Sequence, residues 1–438
     1  MVPVDSAVLP ADTSPSRREV WTIFGYFAAL TLLLGLAGSL SGLPIGYFLK
    51  DKLKLSAQQS ALFGTIAGIP GYIGFVFGFI RDRWKPWGRG DRGYMLLTAP
   101  LSALCYVYLA FVPLSYERIM IIALLDGCIG GLAGAAFAGL LASVAQTRQM
   151  TGRLTAARSL IGTIPGIVGA IGGGYLTEHV APRVPFLISA ALLGAVAVLS
   201  LWRPREVFDG QVERAPASGP SLKDATVALL RHRPLWPVAL VYLLWDLMPG
   251  WGTPLFYYLS NTVKLTPTQM GTVFSTVPLC TIFMSIGYGL LCRQMPLRKL
   301  LWLGMGVGII GAPSAMLMHS FTSAIVIFAL AMLSFGLGNA AMRDLLVRSY
   351  PKGMEGTGAT LLGAVGAIAA AGSNQLGAWI YDHGGFGPAM LLSTLCTAAI
   401  LPVLPFIPRS VTDNRDGEII KESMIASEPG SVAATATA

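Results

Sequence analysis

Residues 42–59, GLPIGYFLKDKLKLSAQQ, return 210 positions later as residues 252–269, GTPLFYYLSNTVKLTPTQ. Gly42, Pro44, Tyr47, Leu49, Lys54, Leu55 and Gln59 match Gly252, Pro254, Tyr257, Leu259, Lys264, Leu265 and Gln269. A second register, at an offset of 204, pairs Met150, Gly152, Gly162, Gly173 and His179 with Met354, Gly356, Gly366, Gly377 and His383, and sets Glu178 opposite Asp382. Self-similarity over this distance marks a chain built twice from one unit.

The unit is a bundle of apolar helices. Of 438 residues, 54% are hydrophobic and 12% charged, with a mean hydropathy of +0.63. That is about half the charge of a soluble domain. The apolar runs are long and continuous, which excludes the period-two alternation of an outer-membrane barrel. Between polar breaks the runs predict helices near 21–49, 60–80, 94–114, 118–145, 154–177 and 184–202, then near 235–260, 267–292, 298–318, 321–346, 356–380 and 386–408. The expected organisation is an all-α membrane protein with twelve spans in two six-helix pseudo-repeats. Residues 1–20 form a tail, 21–202 the first bundle, 203–233 a polar central loop, 234–408 the second bundle and 409–438 a disordered tail. Six spans per half orient both halves alike, with a solute site expected at the midplane between them.

The net charge of +9 serves topology and does not call for nucleic acid. With both termini cytoplasmic, only Lys50, Lys52, Lys54, Arg118, Arg183 and Lys264 of the 31 Lys and Arg fall on the outer face. The positive-inside rule therefore places both ends in the cytoplasm of a plasma-membrane protein. The first 19 residues carry Asp5, Asp12 and Glu19 with three prolines, so the first span is expected to remain in the mature chain. Five cysteines lie in apolar segments without paired spacing, predicting neither disulfide nor metal site, and no cofactor is expected.

Ionisable residues inside spans are costly and point to function. Asp126 shares a helical face with Gly130, Gly134 and Ala138 and is a candidate proton carrier beside a cavity, or else a static hydrogen-bonded carboxyl. Arg158 lies about one turn inside the cytoplasmic end of the fifth span, as a coupling residue or one that snorkels to the interface. Asp246 sits mid-span between Trp245 and the breaker pair Pro249 and Gly250. With Trp245, Trp251, Tyr257, Asn261, Tyr47 and Asn374 it makes up the predicted solute site, where aromatic rings beside a carboxyl suit a flat heteroaromatic solute. Asp246 is also a second candidate proton carrier. Tyr257 could equally belong to an interfacial belt, Asn374 could be packing glue, and His179 and His383 are read as surface residues. The fifth span carries Gly162, Pro165, Gly166, Gly169, Gly172, Gly173 and Gly174, a face for close helix packing.

After the second span the chain reads Gly78, Phe79, Ile80, Arg81, Asp82, Arg83, then Gly88, Arg89 and Arg92. This resembles the loop signature of the major facilitator superfamily. The glycine would let two helices approach, while Asp82 with Arg83, Arg89 and Arg92 would latch a cytoplasmic gate. Gly289, Arg293, Pro296, Arg298 and Lys299 form a degenerate copy in the second half. The longer pattern is similar to the folate-biopterin transporter family: Gly78, Phe79, Asp82, Gly88, Arg92 and Tyr94; Leu244, Trp245, Pro249, Phe256, Tyr257, Asn261, Leu265 and Gly271; Pro296 to Lys299; and Pro351, Gly353, Glu355 and Thr357. Gly90 and Asp91 stand where that family has two arginines, and Asp246 where it has a neutral polar residue. The resemblance implies a secondary transporter of a pterin or folate. The muropeptide permeases look similar in the same loop, and an exporter, or a facilitator-fold receptor or assembly factor, is the other reading. Expected partners are a small-molecule solute, a proton or counter-solute and the bilayer, with the chain a monomer. An enzyme is disfavoured, because no nucleophile is paired with a base and no phosphate loop is present.

Overall fold

The structure is a computed structural model that describes residues 17–148, 150–208, 235–350 and 355–413. The expectations for residues 1–16, for the central loop over 209–234, for Pro351, Gly353 and Met354, and for the tail from 414 lie outside the described residues. Every regular element among the described residues is helical.

The chain divides into two compact units. One holds the described residues of 1–44 and 74–218; the other holds those of 45–73 and 219–438. The stretch 45–73, expected in the first bundle, thus packs with the second. Polar contacts hold it there, from Asp382 to the N–H groups of Ala57 and Gln58 and from Tyr257 to the Leu55 carbonyl.

In the first unit, α1 (Arg17–Ser39) begins four residues before the expected start, with Glu19 in its first turn complementing the helix dipole. It is followed by α2 (Gly42–Tyr47), which crosses the unit boundary; α3 (Ala57–Ala67) and α4 (Ile69–Tyr72) belong to the second unit. The first unit resumes with α5 (Gly74–Arg83), α6 (Gly90–Phe111), α7 (Tyr116–Thr147), α8 (Thr151–His179), α9 (Arg183–Leu201) and the short α10 (Arg205–Phe208). Its core joins Tyr26, Leu30, Tyr94, Phe137, Leu140 and Leu154. Tyr26 meets Trp202 and Phe208 at ring-centroid distances of 5.9 and 5.7 Å, which docks α10 onto that core. The glycine face of α8 closes on α1: a Cβ at Gly35 would strike Pro165 at 2.7 Å, and Ser39 Oγ donates to the Pro165 carbonyl at 2.9 Å. The packing reading of that stripe is sufficient.

The second unit continues with α11 (Leu235–Asp246), α12 (Thr253–Asn261), α13 (Pro267–Gln294), α14 (Leu297–Ser314), α15 (Phe321–Ser349), α16 (Glu355–Gly384), α17 (Phe386–Ala398) and α18 (Arg409–Thr412). Its core runs from Val238, Val241 and Trp245 through Leu300, Met305, Phe335 and Leu345. The chain from Ser410 to Asp413, expected to be disordered, begins as one helical turn, and Asp413 lies 3.8 Å from Arg298.

Among the described residues, eight helices are long and apolar enough to span a membrane, the first being Arg17–Lys52 taken with its turns. Two expected spans are instead interrupted. That near 60–80 breaks at Gly68 and again at Ile73, where Pro70 cannot donate to the ladder. That near 235–260 breaks over 247–252, at Pro249 and Gly250. The span expected over 21–49 bends at Leu40–Ser41 and ends in a π-helical turn, Phe48–Lys52. The last stops as a helix at Ala398 and continues in turns to Phe406.

The two repeated stretches fold alike. Lys54 and Lys264 both take positive φ, 55° and 60°. Leu55 N donates to Leu49 O at 3.1 Å, and Leu265 N to Leu259 O at 3.0 Å. Each turn then delivers a capping box, Ser56 with Gln59 and Thr266 with Gln269, that starts α3 and α13. The second register repeats too. His179 stacks on Tyr175 and His383 lies tilted against Trp379, each one turn earlier, with ring centroids 4.4 and 4.7 Å apart.

Candidate functional site

α7 carries small residues on two faces for different reasons. On one, a Cβ at Gly131 would overlap the Phe77 ring and one at Gly139 the Arg81 guanidinium, so α5 lies directly against it. On the other, Gly130 and Gly134 have no atom within 4 Å of a Cβ position, because that face borders a cavity of about 740 Å³ inside the first unit. Asp126, one turn before Gly130, lines this cavity with Ser102, Tyr106 and Arg158. The Ser102 and Tyr106 side chains stand beside the Asp126 carboxyl on this wall, and Tyr106 Oη lies 3.5 Å from Ser41 Oγ. The shared face of Asp126, Gly130 and Gly134 is therefore a cavity wall.

Arg158 reaches into the same cavity. Its guanidinium carbon stands 5.0 Å from the Phe137 ring centroid, a cation–π contact on the bundle side. Among the described residues it has neither a hydrogen-bond nor an ion-pair partner.

Asp246 occupies the last position of α11, half-buried, with the Tyr242 side chain one turn before it on the same face. Both side chains rest against Gly366 of α16, where a Cβ would come within 2.6 Å of either. Its predicted companions are placed differently. Trp245 is in the core, with Phe335 at 5.8 Å and Gly338 under its ring, so it packs helices together. Trp251 meets Phe328 and Phe335 at 5.9 and 5.2 Å. Asn374 holds the break in the helix: its Oδ1 accepts from Thr253 N at 2.9 Å and its Nδ2 donates to Thr253 Oγ1 at 3.0 Å. Ser393 Oγ accepts from Gly250 N at 2.7 Å, and Gly252 takes a φ of 92°. The broken backbone is thus satisfied by side chains from α16 and α17, with Asn374 in the packing role, the alternative to solute binding.

Tyr47, Tyr257 and Asn261 belong to a cluster that ties 45–73 to α12 and α16. Tyr47 meets Phe256 edge-on at 5.1 Å. Tyr257 is buried, with its hydroxyl 2.6 Å from Ser60 Oγ and donating to Leu55 O at 2.8 Å. Asn261 lies beside the Tyr381 side chain. Asp382 accepts from the backbone N–H groups of Ala57 and Gln58 at 3.1 and 2.8 Å, at the N-terminus of α3, where a carboxylate is most favoured. Tyr258, not Tyr257, lines a second cavity of about 440 Å³ with Tyr381 and Phe386.

The loop after α5 is held by Arg81 and Asp91 together with the predicted Arg92. Arg81 makes a bidentate pair with Asp91, at 2.6 and 2.8 Å, and touches Asp82 at 3.0 Å. Asp91 is 8% exposed while Asp82 is open to solvent, so Arg81 and Asp91 carry the tie. Gly78 makes no close approach, with nothing within 4 Å of a Cβ; the close contacts come from Phe77 and Arg81. Arg83 lies over Phe79 at 4.0 Å, and Gly88 turns the loop with a φ of 67°. Arg89 precedes α6 without a side-chain cap. Arg92 donates to the carbonyls of Ser200 and Leu201, satisfying the end of α9. In the second unit Asp344 accepts from Arg348 at 2.8 and 3.0 Å and from Tyr288 Oη at 2.7 Å, a polar tie whose i, i+4 spacing was the available signal.

These features define a polytopic helical membrane protein with charged residues facing an internal cavity. The chain matches the Major Facilitator Superfamily over residues 27–374 and belongs to it, which makes it a transporter and not an enzyme. No curated protein matches. Among solved structures it is similar to a D-xylose-proton symporter, at 14% identity and a TM-score of 0.65 over 89% of this chain and 98% of that one. It is also similar to the nucleoside transporter NupG, at 12% identity and 0.67 over 88% and 98%. A third is a POT family transporter in complex with 5-aminolevulinic acid, at 14% identity and 0.72 over 89% and 96%. At these identities the likeness is one of fold.

Proposed function

We propose that the protein is a secondary active transporter that moves a small organic solute across the plasma membrane by alternating access, coupled to a proton or to a counter-solute. It acts as a monomer of twelve spans in two six-helix repeats, with both termini cytoplasmic. The observation that carries this reading is the cavity of about 740 Å³ in which Asp126 meets Ser102 and Tyr106. A carboxyl beside two hydroxyls in an apolar wall can hold a proton or give it up as the solute arrives. Asp246 with Tyr242 is a second carboxyl–phenol pair of the same make and a second candidate carrier. The resemblance of the 78–94 loop and of 244–271 supports a pterin or folate as cargo, and the proton-coupled sugar symporter among the similar structures supports proton coupling.

The test is uptake into proteoliposomes under an imposed pH gradient, with labelled folate and pterin first. Asp126→Asn is expected to abolish gradient-driven accumulation while leaving solute exchange at zero gradient. Unchanged accumulation in both Asp126→Asn and Asp246→Asn would remove the carboxyls from coupling.

A further inference from the structure

We infer that Thr31 and Thr163 select the solute of the first unit's cavity, and that the solute edge they read is a row of hydrogen-bond donors, as on an amino-substituted heterocycle. This deepens the transport reading above and rests on it. Thr31 on α1 and Thr163 on α8 both line the cavity and are half-buried. Each spends its hydroxyl proton on its own helix: Thr31 Oγ1 donates to Phe27 O at 2.7 Å, and Thr163 Oγ1 to Leu160 O at 2.6 Å. Thr98 on α6, buried in the same wall, donates to Tyr94 O at 2.8 Å. A threonine oxygen has one proton and two lone pairs, so a hydroxyl bonded in this way can only accept from a solute.

The three threonines occupy the middle of the cavity. Thr98 lies one turn from Ser102, beside Asp126, while Thr31 lies one turn from Phe27, whose ring meets Phe137 at 6.0 Å. Thr163 follows Arg158 by five residues on α8. At the Asp126 end, Ser102 and Tyr106 can both give and accept a hydrogen bond. At the other end Arg158, exposed and lying over Phe137, supplies donors. Between those ends the wall accepts only. Gly130, Gly134 and Gly162 add no side chain there, and the helix interiors use their backbone N–H groups. A Cβ at Gly130 or Gly134 would meet nothing within 4 Å, and one at Gly162 only the Thr31 methyl carbon at 3.8 Å, so the wall leaves room for a flat molecule. A solute carbonyl or carboxylate turned to the threonines would set lone pair against lone pair, whereas an N–H gains a partner. A site built to hydrogen-bond a donor rejects the analogue that lacks it more sharply than a pocket rejects a change in size.

Isothermal titration of the purified full-length protein with pterin, adenine and cytosine, each paired with the analogue whose exocyclic amine is dimethylated, tests this. Dimethylation removes the donors and keeps the ring and its acceptors. At least one amino parent is expected to bind roughly tenfold more tightly than its analogue, the worth of one or two neutral hydrogen bonds. Thr31→Val and Thr163→Val, which keep the shape and lose the oxygen, should each cut that preference to about threefold or less. Thr31→Ser and Thr163→Ser keep the oxygen and should keep most of the preference, which separates loss of the acceptor from loss of fold. Rejection of the analogue on size alone would persist in the valine variants. A preference that survives in both valine variants, one that the serine variants lose equally, equal affinity within every pair, or no binding of any probe overturns the proposal. If the protein nevertheless accumulates a solute under a pH gradient, the transport reading stands without selection by these threonines.

Discussion

Removing the Asp382 carboxylate should loosen the start of α3. Asp382 accepts two backbone N–H groups, those of Ala57 and Gln58, and Ala57 is fully buried. Hydrogen bonds to a charged group contribute roughly 1.5–3 kcal/mol each when shielded. Asp382 is itself exposed, so water replaces part of that interaction and a total of about 1–2 kcal/mol is expected for the two bonds. That corresponds to a roughly 5- to 30-fold rise in the population of the locally open state. Hydrogen exchange followed by mass spectrometry on a peptide covering 55–62 reads this directly. Asp382→Ala should lose protection there by that factor, while a peptide from α14 keeps its own. Asp382→Asn, which retains an acceptor but not the charge, should lose about twofold, in line with a helix-dipole contribution of a few tenths of a kcal/mol. Protection over 55–62 that is the same in Asp382→Ala and the parent would refute the argument that this contact ties 45–73 to α16.

Two further outcomes follow from packing. Gly377→Ala places a methyl group on the Pro249 carbonyl, a backbone atom that cannot move aside, and should cost about 4 kcal/mol or more. Gly78→Ala meets nothing and should be neutral, so thermal unfolding in detergent should separate the two variants widely. Asp91→Asn weakens the buried side of the Arg81 tie and should cost about 2 kcal/mol, less than the loss of a fully buried pair because Arg81 keeps Asp82. Asp91→Arg should cost more by setting two cations together. A melting temperature unmoved by both would show that the loop is held by something else.

The helical make-up and the internal repeat were legible because hydropathy and cap chemistry are local. Lys54, Ser56 and Gln59, and Lys264, Thr266 and Gln269, contain everything needed to make the same turn and capping box twice. The Asp126 face was legible for a similar reason, since three small steps of four residues expose one stripe. What escaped depends on partners distant in sequence. Nothing local marks Thr253 as the partner of Asn374, or the N–H groups of Ala57 and Gln58 as those of Asp382. Arg81 was passed over in favour of Asp82 because hydropathy cannot tell which of two adjacent charges turns inward. Trp245 was assigned to solute on its neighbour's account, although its ring points to Gly338.

The bare stretch of α7 at Gly130 and Gly134 leaves the bore of the chamber independent of the scaffold. Alanine there would narrow the passage by one heavy atom without pushing on any other part of the protein, and serine or valine would narrow it by two or three. Cargo size can therefore drift in small steps while the fold stays as it is, and related chains that differ at these two positions are where altered selectivity should first be sought.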